Sequence, residues 1–508
     1  MPNPHRLAAI DLGSNSFRLE IGQVEQGVFQ RTEYLKETVR QGNGLDEDRN
    51  LTTQAMQRGW DCLARFGERL AGFKSNEVRA VATQTLREAR NRDEFLRRGV
   101  AMLGFPIDVI SGREEARLIY QGVSQALPPS DDRRLVVDIG GRSTEIVVGR
   151  GRMPSRMESC RVGSITWSNR YFADQDFSKG AFQRAEVAAK AVLDEVTNAY
   201  PRESWDIAYG SAGTVGAVAD VLSAAGWPAE SITPAGLDWL VEKLISAQSA
   251  ERLRLPGLKD DRRALIGGGL SILRAVFELL QIDRMVLNPG GLRHGLLAEL
   301  MGQAPEQSDL RSRSVARLAV KFGAESAQSQ RVGRVARSFL NALVVCKLPS
   351  EALATERLHR KLNWAADLHE IGSHISHSDY HKHGAYILDN ADAMGFTQSE
   401  LHRLSLLVLG HRGKLRKLGA DFNDTAFIFQ LLALRLAVIL CHARNDPVTD
   451  GLLLSTSGDA DQRISLHYAQ AWGNAFPQSL HLLQEEVIAW QKTPWALQLI
   501  QKNPGKIE

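Results

Sequence analysis

Apolar residues flank a short polar turn twice in this chain, in the same order. Ile10-Asp11-Leu12-Gly13-Ser14-Asn15-Ser16-Phe17-Arg18-Leu19-Glu20-Ile21-Gly22 aligns with Val137-Asp138-Ile139-Gly140-Gly141-Arg142-Ser143-Thr144-Glu145-Ile146-Val147-Val148-Gly149, with Asp, Gly, Ser and the final Gly in register. Each copy reads as strand, tight turn, strand. After the first copy, Met56, Trp60, Leu63 and Leu70 recur at helical spacing and predict a helix near Thr52–Leu70. Strands at Glu77–Ala82 and Ile107–Ile110 alternate with helices that start at two capping boxes, Asn91-x-x-Glu94 and Ser111-x-x-Glu114. The first of these helices runs through Leu103 and the second over Glu114–Val123.

The scheme repeats after the second copy. A strand at Trp205–Tyr209 leads into the small-residue loop Gly210-Ser211-Ala212-Gly213-Thr214, which opens a helix. A helix near Arg262–Leu280, a strand at Met285–Leu287 and a glycine turn before Arg293 complete this half. Alternating strands and helices predict α/β lobes. From about Leu310 helical periodicity takes over, and strand signals stay weak until Gly451–Leu466. The most apolar run, Ala426–Cys441, is interrupted by Gln430 and Arg435 and reads as a buried helix, not a membrane span. Boundaries at Leu127–Asp132 and Gly302–Ser308 give lobes at 1–128 and 129–305, a helical domain at 306–447 and a small terminal domain at 448–508. The fold class is thus α/β plus all-α.

Composition changes this picture little. At 508 residues the chain is too long for one core. The 62 basic and 59 acidic residues leave a net charge of only +3, which argues against a general nucleic-acid partner. Any polyanion must be met by a local cluster of Lys and Arg. Cys62, Cys160, Cys346 and Cys441 form no CxxC pair, so a zinc-cysteine site or disulfide framework is not expected. With no signal peptide and no stable membrane insertion to expect, the reading is a cytoplasmic protein with reduced thiols.

The chemistry gathers at the turns. Gly and Ser let the backbone turn sharply and leave N–H groups free to face an anion. Asp11 and Asp138, each ending a first strand, suit a cation or an oriented water, and Glu145 adds a second oxygen ligand beside Asp138 for Mg2+. Arg18 stands in the first copy where Glu145 stands in the second. A guanidinium there suits a phosphate, as does Arg293 at the start of its helix. Arg87, Arg40 and Lys36 would extend a basic track for a longer anion. Glu115 lies in the first turn of its helix, where the dipole favours the ionised form, and suits the role of a base that activates water. No GxxxxGK[ST] occurs, which excludes a P-loop enzyme, and no GxSxG occurs, which argues against an α/β-hydrolase. In the helical region, Leu368-His369-Glu370-Ile371-Gly372, His381, His383 and His411-Arg412 look like an HD-type phosphohydrolase core with Glu370 where Asp belongs. A degenerate scaffold whose histidines bond backbone groups is the expected form; a metal site there is the rival reading.

Taken together, these motifs resemble the exopolyphosphatase / guanosine pentaphosphate phosphohydrolase family, within the actin, Hsp70 and sugar-kinase superfamily of paired ribonuclease-H-like lobes. The matches include Asp11–Ser16, Ala82-Thr83 with Arg87 and Asn91, Ile110–Ala116, Asp138–Glu145, Val162-Gly163-Ser164, Ser211–Thr214 and Gly291–Gly295, and the HD-like stretch fits the family's long form. The resemblance implies Glu115 as catalytic base, with Asp138 and Glu145 at Mg2+ and the catalytic water. It places Asn15, Ser16, Arg18, Gly141, Ser143, Gly213 and Thr214 where family members hold phosphates. Two departures stand out. Arg142 replaces the usual third glycine of the second loop, adding a charge contact or narrowing it, and His294 replaces the usual Glu after Arg293. The implied activity is removal of the terminal phosphate of inorganic polyphosphate, with guanosine pentaphosphate as the alternative substrate and a silent nucleotide sensor as a further rival. A homodimer is implied by the same resemblance.

Overall fold

The computed structural model describes residues 5–25, 28–128, 130–173, 176–228, 231–302, 307–347, 352–456 and 462–502. Two compact units are present, Met1–Gln307 and Ser308–Glu508.

The first unit holds two sheets built alike. In lobe I, β1 (His5–Leu12), β2 (Phe17–Glu25) and β3 (Val28–Glu37) form an antiparallel meander, and β4 (Val78–Ala82) and β5 (Ile107–Val109) extend it in parallel, giving the order β3-β2-β1-β4-β5. In lobe II, β6 (Arg133–Ile139), β7 (Thr144–Arg150) and β8 (Met153–Cys160) make the second meander. Beside them lie β9 (Ile207–Ser211), β10 (Ser231–Ile232) and β11 (Met285–Leu287), in the order β10-β11-β9-β6-β7-β8. Both sheets thus carry the ribonuclease-H-like order, and the two hairpins are β1–β2 and β6–β7. The central strands are buried along nearly their whole length, which is why their sequences read as continuous apolar runs. By contrast β3 and β8 are edge strands; β3 is mostly exposed and β8 buries only Met157 and Cys160, so neither alternates clearly enough to be read from sequence.

Helices join the lobes. The helix Gly112–Gln125 packs on β7 and β8, although it closes lobe I, and the helix Leu292–Leu300 packs on β1, although it closes lobe II. These two helices meet at backbone contact. A Cβ on Gly122 would lie 2.1 Å from the Gly291 carbonyl, and one on Gly295 would lie 2.1 Å from the Leu118 carbonyl. Arg117, itself buried, pairs with Glu114 at 2.7 Å and with Glu299 across this junction.

Several local expectations change. The Ser111 hydroxyl accepts from the Glu114 amide as a cap should, but the Glu114 carboxylate is engaged by Arg117. The Asn91 box does not form: its side chain instead exchanges two hydrogen bonds with the Leu51 backbone, at 2.8 and 3.0 Å. The helix expected over Arg262–Leu280 is a short turn, Asp260–Arg263, followed by a helix Ile266–Leu279. The strand expected at Trp205–Tyr209 is Ile207–Ser211, so the chain enters its helix directly from Ser211.

The second unit packs the helices Gln307–Lys321, Ser326–Lys347, Ala352–Leu368, Tyr380–Asp389, Gln398–Gly410 and Thr425–Leu440. A three-stranded sheet follows, with β13 (Arg463–Ala469) between β12 (Leu452–Thr456) and β14 (Ala496–Lys502). One apolar core runs from Val315 through the helices to Leu454, Ile464 and Trp490. The polar residues inside the apolar run are satisfied there. Gln430 donates to the Leu358 carbonyl at 2.8 Å, and Arg435 forms a two-point pair with the buried Glu486 at 2.5 and 2.6 Å. No helix among the described residues is long and apolar enough to cross a membrane. The expected connection around Pro305, the middle of the Gly451–Leu466 strand region and the Cys346 side chain lie outside the described residues.

Candidate active site

Paired registers build the site. Across β1 and β2, Asp11 stands opposite Arg18; across β6 and β7, Asp138 stands opposite Glu145. Directly opposed residues of an antiparallel pair share one face, so each hairpin projects two charged side chains together. Between the hairpins lies a cavity of about 320 Å3. Asp11, Asn15, Ser16 and Arg18 line it from lobe I, and Asp138, Gly141, Arg142 and Ser143 from lobe II. Glu115 reaches it from the helix Gly112–Gln125, Gly213 and Thr214 from the start of the helix Ala212–Ala224, and Arg293 from the start of the helix Leu292–Leu300. Glu145 is not part of this wall, nor are Arg87, Arg40 and Lys36; Glu145 is 1% exposed, and the Ser159 hydroxyl donates to it at 2.7 Å.

The acids are crowded. Burial pushes the Asp138 carboxyl up to about 7, the negative charge of Glu115 and Asp11 adding to the effect and a Ser211 hydrogen bond opposing it. Burial, then the charges of Glu115 and Asp138, holds Glu145 well above the usual carboxylate range. Glu115 is also raised by burial, although Arg87 donates to it at 2.7 Å and pulls the other way. Here burial outweighs the helix dipole, which by itself would favour the ionised form.

The cations are arranged on the other side. Arg18 lies 3.4 Å from Asp11, and its buried Nε has no partner among the described residues. Arg293 reaches Glu20 at 3.1 Å and Asp11 at 3.8 Å. Arg262 was not found from the sequence. It lines the cavity with no ion pair among the described residues, and its guanidinium rests on the start of the helix Ala212–Ala224. A Cβ on Gly213 would lie 2.2 Å from Arg262 Nη2, so this stacking needs glycine there. Arg262 sits in a charged stretch, Lys259-Asp260-Asp261-Arg262-Arg263, that reads as solvated surface, and no local signal marks it out. Ala212 adopts φ 66, a left-handed conformation that alanine takes at a cost, where the strand turns into its helix beside the cavity.

Two of the three residues of the expected basic track are engaged in ion pairs. Arg87 is held on Glu115, and Lys36 pairs with Asp261 at 3.2 Å. The Arg142 guanidinium is turned to lobe I, 2.6 Å from Glu88 and 3.0 Å from the Gly42 carbonyl. His294 also lines the cavity, 3.8 Å from Glu20.

An anion and a cation both suit this place. Helix starts and free guanidinium donors favour phosphate. Among the described residues no three His, Cys, Asp or Glu side chains are grouped as a metal cage. Mg2+ asks for less, because it keeps its waters and binds through one or two carboxylates plus phosphate oxygens. Buried carboxyls with raised pKa values on one face fit that demand.

The histidine cluster of the second unit behaves otherwise. His369 and His411 meet edge to face at 5.4 Å, and each bonds a carbonyl through Nδ1, Ala366 at 2.7 Å and Val408 at 2.6 Å. The Tyr380 hydroxyl lies 3.4 Å from His411 Nε2. Burial lowers the pKa of both rings, which keeps them neutral and packed.

Comparison with known proteins matches residues 21–304 to the Ppx/GppA phosphatase family and residues 310–487 to Ppx/GppA phosphatase, domain III. A Vibrio atlanticus protein named guanosine-5'-triphosphate,3'-diphosphate pyrophosphatase is 38% identical over 472 residues, covering 92% of this chain and 93% of its own. A Pseudoalteromonas translucida protein of the same name is 36% identical over 501 residues, covering 98% of each. Among solved structures, the Aquifex aeolicus PPX-GPPA enzyme is 27% identical with a TM-score of 0.50, covering 58% of this chain and 99% of its own.

Proposed function

Because this chain belongs to the Ppx/GppA phosphatase family and is a hydrolase of phosphoanhydride bonds, we propose that it removes the terminal 5'-phosphate of guanosine pentaphosphate. This was the alternative on sequence grounds. One observation moves it ahead of polyphosphate: the relatives of that name span nearly the whole chain. The observation that carries the chemistry is the placement of Glu115 on the cavity wall between the two hairpins.

The terminal phosphoryl group would lie against Arg18, Arg293 and the start of the helix Ala212–Ala224, with Arg262 next along the substrate. These donors stabilise the charge that spreads over the phosphoryl oxygens as the bond breaks. Glu115, whose pKa burial raises, orients a water and takes its proton as that water attacks phosphorus in line. The water oxygen bonds to phosphorus, the bond to the bridging oxygen breaks, and orthophosphate and a nucleotide one phosphate shorter result. Asp138 on the cavity wall, with Glu145 opposite it in register, would hold Mg2+, which when bound would supply neutralisation of part of the phosphate charge.

The test is orthophosphate release by the full-length protein with Mg2+, from guanosine pentaphosphate and from polyphosphate, singly and in competition. The nucleotide should be turned over with the higher kcat/KM, and Glu115→Gln should slow it by about 10²–10⁴-fold. Equal rates for wild type and Glu115→Gln would remove the assigned base. A higher kcat/KM for polyphosphate would restore the exopolyphosphatase reading.

A further inference from the structure

Arg142 lies in the turn between β6 and β7, on the cavity wall, yet its charged end is committed to the opposite lobe. Its Nη2 is 2.6 Å from Glu88 Oε2, and its Nη1 donates to the Gly42 carbonyl at 3.0 Å. The pair is mostly shielded, with side chains 19% and 15% exposed. Glu88 ends a one-turn helix, Gln84–Glu88, and its other oxygen accepts from Gln84 Nε2 at 2.5 Å. The Gln84 side-chain oxygen Oε1 accepts from Arg87 Nη2 and, at 3.2 Å, from Arg87 Nε. Arg87 in turn donates to Glu115 at 2.7 Å and to the Ile110 carbonyl at 3.0 Å. Every link has a donor on one side and an acceptor on the other. A continuous chain therefore runs from the tip of the lobe II loop to the catalytic carboxyl of lobe I: Arg142, Glu88, Gln84, Arg87, Glu115.

We propose that Arg142 is a positioning residue that clasps the two lobes through Glu88 and, by way of Gln84 and Arg87, fixes the Glu115 carboxyl when the cleft is closed. It acts through other side chains and holds no phosphate itself. Around the same junction Asn169 of lobe II donates to Asn43 of lobe I at 3.2 Å. A Cβ on Gly163 would lie 2.3 Å from the Arg142 amide nitrogen, so the loop backbone that carries the clasp is closely backed. A glycine at position 142 would have no side chain to reach Glu88.

The proposal rests on Glu115 being the base, and the experiment separates the two. Kinetics of phosphate release from guanosine pentaphosphate are compared for Arg142→Gly, Glu88→Gln, both together and the swapped pair Arg142→Glu/Glu88→Arg, alongside backbone hydrogen exchange over residues 40–44. Each single variant should lower kcat about tenfold with KM nearly unchanged, the double should be no worse than either single, and the swap should regain most of the loss. Exchange at residues 40–44 should quicken in both singles and slow again in the swap. A phosphate-binding Arg142 gives the opposite result: Arg142→Gly raises KM, and Glu88→Gln frees the guanidinium and lowers it. That pattern, additive losses, or unchanged exchange would overturn the clasp. If wild type releases no phosphate, the functional reading fails, and the exchange data still decide whether Arg142 and Glu88 hold the lobes together.

Discussion

Lobe I and lobe II carry the same hairpin with opposite electrical results. At the same register, Asp11 meets Arg18 and Asp138 meets Glu145. In lobe I the acid has two guanidinium groups within 3.8 Å, and Arg18 keeps a donor to spare. In lobe II the acid meets a second acid, and burial drives both carboxyls toward the protonated form. One hairpin is thereby prepared to grip an anion and the other to receive a cation. The backbone copy fixes where the charges stand, and a single side chain on the second strand decides their sign.

The strongest way to break this comparison is to write lobe II into lobe I. Arg18→Glu would place a second acid opposite Asp11 and remove the donor facing phosphate; phosphate release should fall by roughly 10³-fold. A loss of less than tenfold would show that Arg18 is not the anion grip of lobe I.

The acid side can be sharpened through pH. Asp138 binds its proton more tightly folded than unfolded, so the folded state holds the extra proton between the unfolded value near 4 and the folded value of about 7. Stability should therefore fall as pH rises across that window, by on the order of 4 kcal/mol for this one group. Thermal unfolding in EDTA from pH 4.5 to 8 should show the fall in wild type and a shallower one in Asp138→Asn, and added Mg2+ should recover part of it. Identical slopes for the two proteins would remove the uncompensated acid from lobe II.

A smaller effect is expected at the entry to the helix Ala212–Ala224. Glycine meets no steric penalty at the left-handed φ of residue 212 but loses more backbone entropy, so Ala212→Gly should raise stability by up to about 1 kcal/mol. A lower melting temperature for Ala212→Gly would mean that the alanine sits there without strain.

The histidine-rich unit shows what the sequence says less well. His369 and His411 were legible as an HD-like core, and their bonding to carbonyls was the expected outcome of a degenerate scaffold. The terminal β14 was not read, because Ala496–Lys502 joins the sheet as a short edge strand in which six of seven residues are exposed or half-buried, and its apolar residues do not alternate cleanly. The edge strands β3 and β8 escaped for the same reason.

By itself the sequence determined the twin hairpins, their charged registers and the alternating α/β lobes, because strand period, turn chemistry and repeated motifs are local; the approach of Gly213, Glu115 and Arg293 to one place was implied only by the family resemblance. Only the tertiary structure decided which charges are spent and which are free. Arg87, Lys36 and Arg142 look like candidate phosphate ligands in one dimension, and partners distant in sequence claim each of them. Arg262 looks like solvated surface and is drawn over a helix start. Glu115 sits where its helix dipole would lower its pKa, and burial raises it instead. Charge acts through space and depends on the solvent left around it, and neither quantity is written along the chain.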